Sequence, residues 1–266
     1  MEARWSLKGK TALVTGATRG IGKAIAEELA LLGVSVYVCA RSESHLKQRM
    51  QEWKDAGLLI SGCVCDVSSF SACDQLMAEV SKNFQGKLNI LVLNAAVPGI
   101  MGPILEVPLE DIVSTVRTNF EANIHLSRLA HPLLKASRDG SIVLISSIAG
   151  SQAISPVPGV YHCTKGALNQ LAKNLALEWA KDGIRVNSVA PGFTHTDMAD
   201  TLGKEMLDGA RMRIPMRRFA ELHEIAAAVA FLCMSCSSYT TGTIVTIDGG
   251  ASCHNSITSC SSLDME

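Results

Sequence analysis

Thr11-Ala-Leu-Val-Thr-Gly-Ala-Thr-Arg-Gly-Ile-Gly22 is the stretch that decides the fold. Residues 11–15 form an apolar run of strand length, and a glycine-rich turn follows at once. Ile21, Ile25, Leu29 and Leu32 then recur at helical spacing. Strand, glycine turn and helix in that order lift a glycine motif above an ordinary glycine-rich turn, which is the plainer alternative. Gly16 permits the tight turn, Gly20 lets a backbone approach a pyrophosphate, and Gly22 permits close helix packing. The spacing is Gly-x3-Gly-x-Gly, not the Gly-x-Gly-x2-Gly common in dinucleotide folds. The helix N-terminus offers unpaired N–H groups and a positive dipole end to phosphate.

Working outward, the strand–helix alternation continues. A second strand, 34–39, leads to Ala40-Arg41. A carboxylate at this strand end would bind a ribose 2′-hydroxyl and favour NAD(H), whereas a cation suits a 2′-phosphate. The first carboxylate is Glu43, and Arg41 and Arg19 can converge on one phosphate, so NADP(H) is expected over NAD(H). Two solvated surface arginines are the alternative. A helix is expected over 43–55 and a third strand over 59–64. Asp66-Val67 follows, where Asp66 either accepts from an adenine amino group or caps the next helix, 68–84. The fourth strand, 88–93, runs into Asn94-Ala-Ala-Val97, whose small residues let a cofactor lie against the backbone while Asn94 knits neighbouring strands.

The second half carries the chemistry. Pro108 opens a helix expected to reach residue 136, with Asn119 inside it. Asn has poor propensity there, so it is either a relay to Lys165 or a solvent-facing residue. The fifth strand, 141–145, ends in Ser146-Ser147, where a hydroxyl can hydrogen-bond a carbonyl oxygen. Tyr161-His-Cys-Thr-Lys165 lies in a helix expected over 159–181. Residues four apart share a helix face, and a fixed ammonium beside a phenol lowers its pKa. Tyr161 thereby becomes a general acid–base with Lys165 as its tuner; an exposed cation beside an aromatic is the plainer reading of the pair alone. The sixth strand, 184–190, leads to Pro191 and Gly192, and Thr194 and Thr196 can hold a carboxamide. Residues 194–220 have little periodicity and several methionines, which reads as a mobile lid over an apolar pocket. A helix over 221–233 and a strand over 243–247 close the chain. The tail, 251–266, is Ser- and Cys-rich and expected to fray from Ser252.

The chain has 266 residues, 24 basic and 25 acidic, and a formal charge of −1. That length suits one large α/β domain or two small ones. Neutral charge gives no reason to expect nucleic acid or an anionic membrane as partner. No run reaches membrane-span length and the first residues have no apolar signal core, so a cytoplasmic protein is expected. The nine cysteines show no zinc-site spacing, so free thiols and no metal are expected.

Thr15-Gly-Ala-Thr-Arg-Gly-Ile-Gly22, Asn94-Ala-Ala96, Asn119, Ser147, Tyr161-x3-Lys165, Pro191-Gly192 and Asp248-Gly-Gly250 occur together in order. From Lys8 to about Gly250 the chain resembles the short-chain dehydrogenases/reductases. Trp5-Ser-Leu-Lys-Gly9, Gly86-Lys-Leu-Asn-Ile-Leu91, Pro132-Leu-Leu-Lys-Ala-Ser137 and Glu178-Trp-Ala-Lys-Asp182 resemble the plant tropinone-reductase-like branch. The resemblance implies one α/β domain over 1–250, a doubly wound Rossmann-type fold with a seven-stranded parallel sheet flanked by helices. It implies a homotetramer or homodimer built on two long helices. It also implies that hydride passes from nicotinamide to a carbonyl carbon while Tyr161 protonates the oxygen. Ser147 would orient that oxygen, Lys165 bind the nicotinamide ribose and lower the Tyr161 pKa, and Asn119 hold a water linking Lys165 to solvent.

The expected catalytic residues are therefore Asn119, Ser147, Tyr161 and Lys165. Expected cofactor contacts are Gly16, Thr18, Arg19, Gly20, Ile21, Gly22, Arg41, Asp66, Val67, Asn94, Ala95, Pro191, Gly192, Thr194 and Thr196, with Tyr161 and Lys165. Ile100, Met101, Met198 and Leu202 would line the substrate pocket with Ser147 and Tyr161. Three features depart from the family pattern. Leu93-Asn-Ala-Ala96 stands for Asn-Asn-Ala-Gly. The segment between the serines and Tyr161 is one residue longer, leaving Ser146 as an alternative to Ser147. Pro98-Gly-Ile-Met-Gly-Pro103 is apolar where tropinone reductases carry a polar residue. The last points to a small hydrophobic, cyclic or terpenoid ketone or alcohol instead of tropinone. An NAD-dependent alcohol dehydrogenase, a tropinone-type ketone reductase and a non-catalytic NADP-binding interaction protein are the other readings.

Overall fold

A computed structural model describes residues 2–154, 157–196 and 203–253. Its sheet has seven parallel strands: β1 Thr11–Thr15, β2 Ser35–Ala40, β3 Ile60–Val64, β4 Ile90–Leu93, β5 Gly140–Ile145, β6 Ile184–Pro191 and β7 Ile244–Ile247. They lie in the order β3-β2-β1-β4-β5-β6-β7. The helices are α1 Gly20–Leu31, α2 Glu43–Asp55, α3 Phe70–Asn83, α4 Leu109–Val116, α5 Ala122–Ser137, α6 Gly159–Trp179, α7 Lys204–Arg213 and α8 Leu222–Cys233.

Alternation along the strands explains the layering. Successive strand side chains point to opposite faces. In β1, Ala12 and Val14 join one apolar core with Ile25 and Leu29 of α1, Leu46 and Trp53 of α2, and Ile225 and Val229 of α8. Leu13, between them, joins the other core with Leu76 and Val80 of α3, Leu126 and Leu134 of α5, and Leu168 and Ala172 of α6. A sheet covered on both faces requires apolar residues at every position of its central strands, and β4 is buried throughout. The strand order reverses between β1 and β4, so the crevice beyond their C-terminal ends is where such a sheet receives a ligand.

The structure adds detail to three of the expected segments. The helix expected from Pro108 to residue 136 is present without a gap from Leu109 to Ser137, but it carries one π turn at Arg117–Glu121 between α4 and α5, with the Ala122 N–H reaching back five residues to the Arg117 carbonyl. An inserted residue leaves no mark in apolar periodicity; π turns of this kind concentrate at functional sites. The stretch 194–220, read from its weak periodicity as a lid, contains α7. Its ends are tied together, since Thr194 and Ala220 pair as a short parallel bridge. Ala220 N–H donates to Phe193 O at 2.9 Å, and His195 N–H donates to Ala220 O at 3.0 Å. The tail begins later than residue 251. Ala251–Cys253 form a 3-10 turn held by the Asp248 carboxylate, which accepts from Gly250 N at 3.0 Å and Ser252 N at 2.7 Å. The remainder of the expected tail lies outside the described residues.

Candidate active site

The glycine turn after β1 is shaped by close contacts. Gly16 has φ +66°, and a Cβ there would stand 2.9 Å from the Ala95 Cα. A Cβ on Gly22 would collide with the Asn94 amide and the Gly16 carbonyl. Asn94 bridges the switch point, its Nδ2 donating to Thr15 O at 2.9 Å and Gly16 O at 3.1 Å. Thr15 returns the contact, its Oγ1 accepting from Asn94 N and Ala95 N, each at 3.0 Å. A residue that sequence reading missed thus fixes the two strand ends. Its signal is a hydroxyl at the strand's last residue, immediately before the glycine turn. Gly22→Ala is expected to destabilise the fold by about 2 kcal/mol, because a backbone carbonyl cannot yield to the new methyl. Dinucleotide affinity should fall with it. Thermal unfolding and calorimetric titration of the variant test this.

The turn fits a dinucleotide's phosphates. Arg19, the residue before α1, makes no side-chain cap to the helix N-terminus, and the first turn holds no carboxylate. A helix end with no capping side chain from its N-cap residue and no carboxylate in its first turn suits an anion. Arg19 and Arg41 are exposed and follow the neighbouring strands β1 and β2, whose ends pair Thr15 with Cys39. Thr18 and Ile21 are half-buried in the turn, and Val67 is buried beyond β3. Asp66 accepts from Ser68 N at 2.9 Å and Ser68 Oγ at 2.8 Å, closing a tight turn. The cap of α3 is Ser69, whose Oγ accepts from Ala72 N, so the cap predicted for Asp66 falls three residues on. At the other end of the groove, Gly192 N donates to Ile247 O at 2.8 Å and the buried Thr194 donates to Gly192 O at 3.1 Å. Thr196 approaches Gly20, its Cγ2 3.6 Å from where a Cβ would stand.

Beyond β5 the two serines part company. Ser146 is buried and donates to Lys165 O at 3.0 Å, so its hydroxyl is spent on α6. Ser147 is half-buried, caps the next turn by accepting from Ala149 N at 3.1 Å, and lies beside the Tyr161 phenol, whose phenolate form it favours. Ser147 is thus the serine beside the Tyr161 phenol. Lys165 is 3% exposed and donates to Ile145 O at 2.7 Å, with Nζ 5.3 Å from the Tyr161 ring centre. Burial pushes its ammonium down to about 8. Tyr161 moves opposite to the expectation. Desolvation pushes the phenol up to about 12, and the Ser147 hydrogen bond only partly offsets it. The ammonium is directed at a backbone carbonyl, and burial disfavours the phenolate more than its neighbours favour it.

Asn119 is wholly buried, not solvent-facing. Its Oδ1 accepts from Val97 N and its Nδ2 donates to Val97 O, both at 2.8 Å, with a third contact to Thr164 Oγ1 at 3.3 Å. Its own carbonyl accepts from Asn123 Nδ2 at 2.6 Å. Asn119 therefore clamps the segment after β4 to the face of α6 that carries Tyr161 and Lys165. Ile100 and Met101, on the loop that follows, are 44% and 47% exposed, apolar surface open to a ligand. Met198 and Leu202, expected in the same pocket, lie outside the described residues.

A glycine turn at a sheet's switch point and a Ser–Tyr–Lys set at the next strand end define a nicotinamide-dependent oxidoreductase acting on alcohol and ketone groups. The chain belongs to the short-chain dehydrogenase/reductase family. A family model described as enoyl-(acyl carrier protein) reductase matches residues 16–252. A tropinone reductase homolog of Arabidopsis thaliana is 48% identical over 251 residues, 94% of each chain. Among solved structures, a gluconate 5-dehydrogenase from Burkholderia cenocepacia in complex with NADP and tartrate is 27% identical, with TM-score 0.89 over 95% of this chain and 99% of that one. A 7α-hydroxysteroid dehydrogenase complexed with NADH and 7-oxo glycochenodeoxycholic acid is 31% identical, with TM-score 0.88 over 94% of this chain and 97% of that one. No described helix is long and apolar enough to cross a membrane.

Proposed function

We propose that this protein is an NADP(H)-dependent reductase of small hydrophobic, cyclic or terpenoid ketones, working in reverse on the secondary alcohols. The observation that carries the reading is the Ser147–Tyr161 hydroxyl pair with the Lys165 ammonium behind it. When bound, the reduced nicotinamide supplies the hydride. Ser147 holds the substrate oxygen and Tyr161 gives it a proton, both from positions fixed before substrate arrives. Lys165 presents a positive charge beneath the phenol and hydroxyl-binding donors toward a ribose. Asn119 holds the Val97 backbone in register with α6. The apolar run Pro98–Pro103 and the exposed Ile100 and Met101 support an apolar substrate over an amine-bearing one.

Arg41, with no carboxylate at the end of β2, supports NADP(H). Exposed apolar side chains around α4 and on α6, Leu105 at 95%, Leu109 at 71% and Leu177 at 84%, support a homodimer or homotetramer. A cytoplasmic setting is part of the same reading. The test is oxidation of NADPH and of NADH across cyclic ketones, monoterpenoid ketones and tropinone. Turnover of apolar ketones with NADPH is expected, and Arg41→Ala should raise the NADPH KM by about tenfold while leaving that for NADH unchanged. Reaction of amine ketones alone would exclude the substrate class, and equal use of both cofactors would exclude the preference.

A further inference from the structure

One side chain beside the proton donor is committed to holding a loop. The segment between Ser147 and Tyr161 is reached from α6 by His162. The ring Nε2 accepts from Ile154 N at 2.9 Å, and Nδ1 lies 2.9 Å from Pro158 O. Both partners have a single possible role. A backbone N–H can only donate, so Nε2 carries no proton. A carbonyl can only accept, so the proton is on Nδ1. The geometry therefore requires a neutral imidazole in one tautomer. The His162 N–H also points at Pro158 O, at 3.3 Å, and Val157 N donates to Ile154 O at 2.9 Å. Pro158 in turn abuts the loop after β4, its Cβ 3.9 Å from where a Cβ on Gly99 would stand. Gly99 immediately precedes Ile100 and Met101.

We propose that His162 is a positioning residue: its neutral ring staples Ile154 and Pro158 to the first turn of α6, holding the apolar substrate wall beside Tyr161, and its protonation releases that staple. The positioning role rests on the reductase reading above. Protonation would place an Nε2–H against the Ile154 N–H, donor against donor, and the loop bond would be lost. Both hydrogen-bond partners of the ring are neutral backbone groups, so neither supplies a counter-charge. Residues 145–160 contain no Asp, Glu, His, Lys or Arg, nor do residues 94–105. The titratable neighbours on α6 are Tyr161, Cys163 and Lys165. Tyr161 is engaged by Ser147 and Lys165 by the Ile145 carbonyl. On α4, which packs across α6, the charged groups are Glu110 and Asp111, with Arg117 beginning the π turn. The ring's hydrogen bonds go to the two backbone groups alone.

The test uses the full-length protein labelled with 15N-isoleucine, the Ile154 amide being identified by its loss in Ile154→Val. Its resonance is followed as the pH is lowered from about 8 to about 5. We expect it to move in one titration in the wild type and to stay fixed in His162→Gln, whose side-chain carbonyl can accept from Ile154 without titrating. Over the same interval the KM for the best ketone should rise about fivefold to tenfold in the wild type with the cofactor KM unchanged, and His162→Gln should flatten that limb. His162→Phe, which makes neither bond, should show the raised KM at every pH. Identical Ile154 and KM profiles in wild type and His162→Gln would overturn the staple while leaving the reductase reading intact. An Ile154 amide that follows His162 in a protein turning over none of the ketones would overturn the positioning role together with the reductase reading and leave only a structural staple.

Discussion

Tyr161→Phe is expected to lower turnover about a thousandfold while cofactor binding stays within about twofold of wild type. The substitution removes one oxygen. The ring, which lies 5.3 Å from the Lys165 ammonium, stays in place, and Lys165 keeps its bond to Ile145 O. What disappears is the hydroxyl paired with Ser147. Single-turnover kinetics and calorimetric titration with NADPH separate the two effects. Loss of both together would mean that the phenyl ring misplaces the helix, and unchanged turnover would favour a non-catalytic binding protein. Direction of reaction follows from the same group. Reduction needs the proton on Tyr161, and a phenol pushed up to about 12 keeps it throughout the neutral range. Oxidation of an alcohol needs the proton removed. The oxidative rate is therefore expected to climb with pH on the alkaline side, and the reductive rate to be flat through neutrality. A rate maximum for oxidation below neutral pH would contradict Tyr161 as the base.

Asn119→Ala should cost about 3 kcal/mol of stability and, through misplacement of the Val97 segment, about a hundredfold in kcat/KM. The buried amide satisfies a backbone N–H and a backbone C=O of the same half-buried residue, Val97, both at 2.8 Å. Truncation leaves both unpaired, and a buried unpaired group costs more than its hydrogen bond contributes. Urea unfolding of the variant measures the first effect and steady-state kinetics the second. Undiminished stability with a selective loss in kcat would instead favour a role in proton relay from Lys165. The π turn that carries Asn119 matters here, because it rotates the residue relative to a regular helix and places its carbonyl against Asn123.

Local sequence was a good guide wherever one element determines the outcome. The β1 run, the glycine turn and α1 were all legible, since apolar spacing sets element type and a glycine's missing Cβ marks close approach. The four-residue gap between Tyr161 and Lys165 likewise put both on one face of α6 whatever lay around them. Legibility failed where two distant segments share a residue. Thr15 reads as the end of a strand, yet it organises Asn94 and Ala95 from 79 and 80 positions away. His162 reads as a filler between Tyr161 and Lys165, yet both its nitrogens are engaged by backbone outside that stretch. Asn119 was visible as an anomaly, but whether it faced water or the core depended on α6, a separate element.

Sequence by itself determined the strand–helix alternation, the phosphate turn, the order of the Ser–Tyr–Lys set and the family to which the chain belongs. These rest on spacing along the chain, which chemistry fixes locally through a period of two in strands and 3.6 in helices. Only the tertiary structure gave Ser146 and Ser147 their different surroundings, buried Asn119, exposed the π turn, tied the two ends of the 194–220 segment together and reversed the expected direction of the Tyr161 pKa. Each of those depends on desolvation or on a hydrogen bond between residues far apart in sequence. Such energies are set by what surrounds a group after the chain has closed on itself, and no local pattern carries that information.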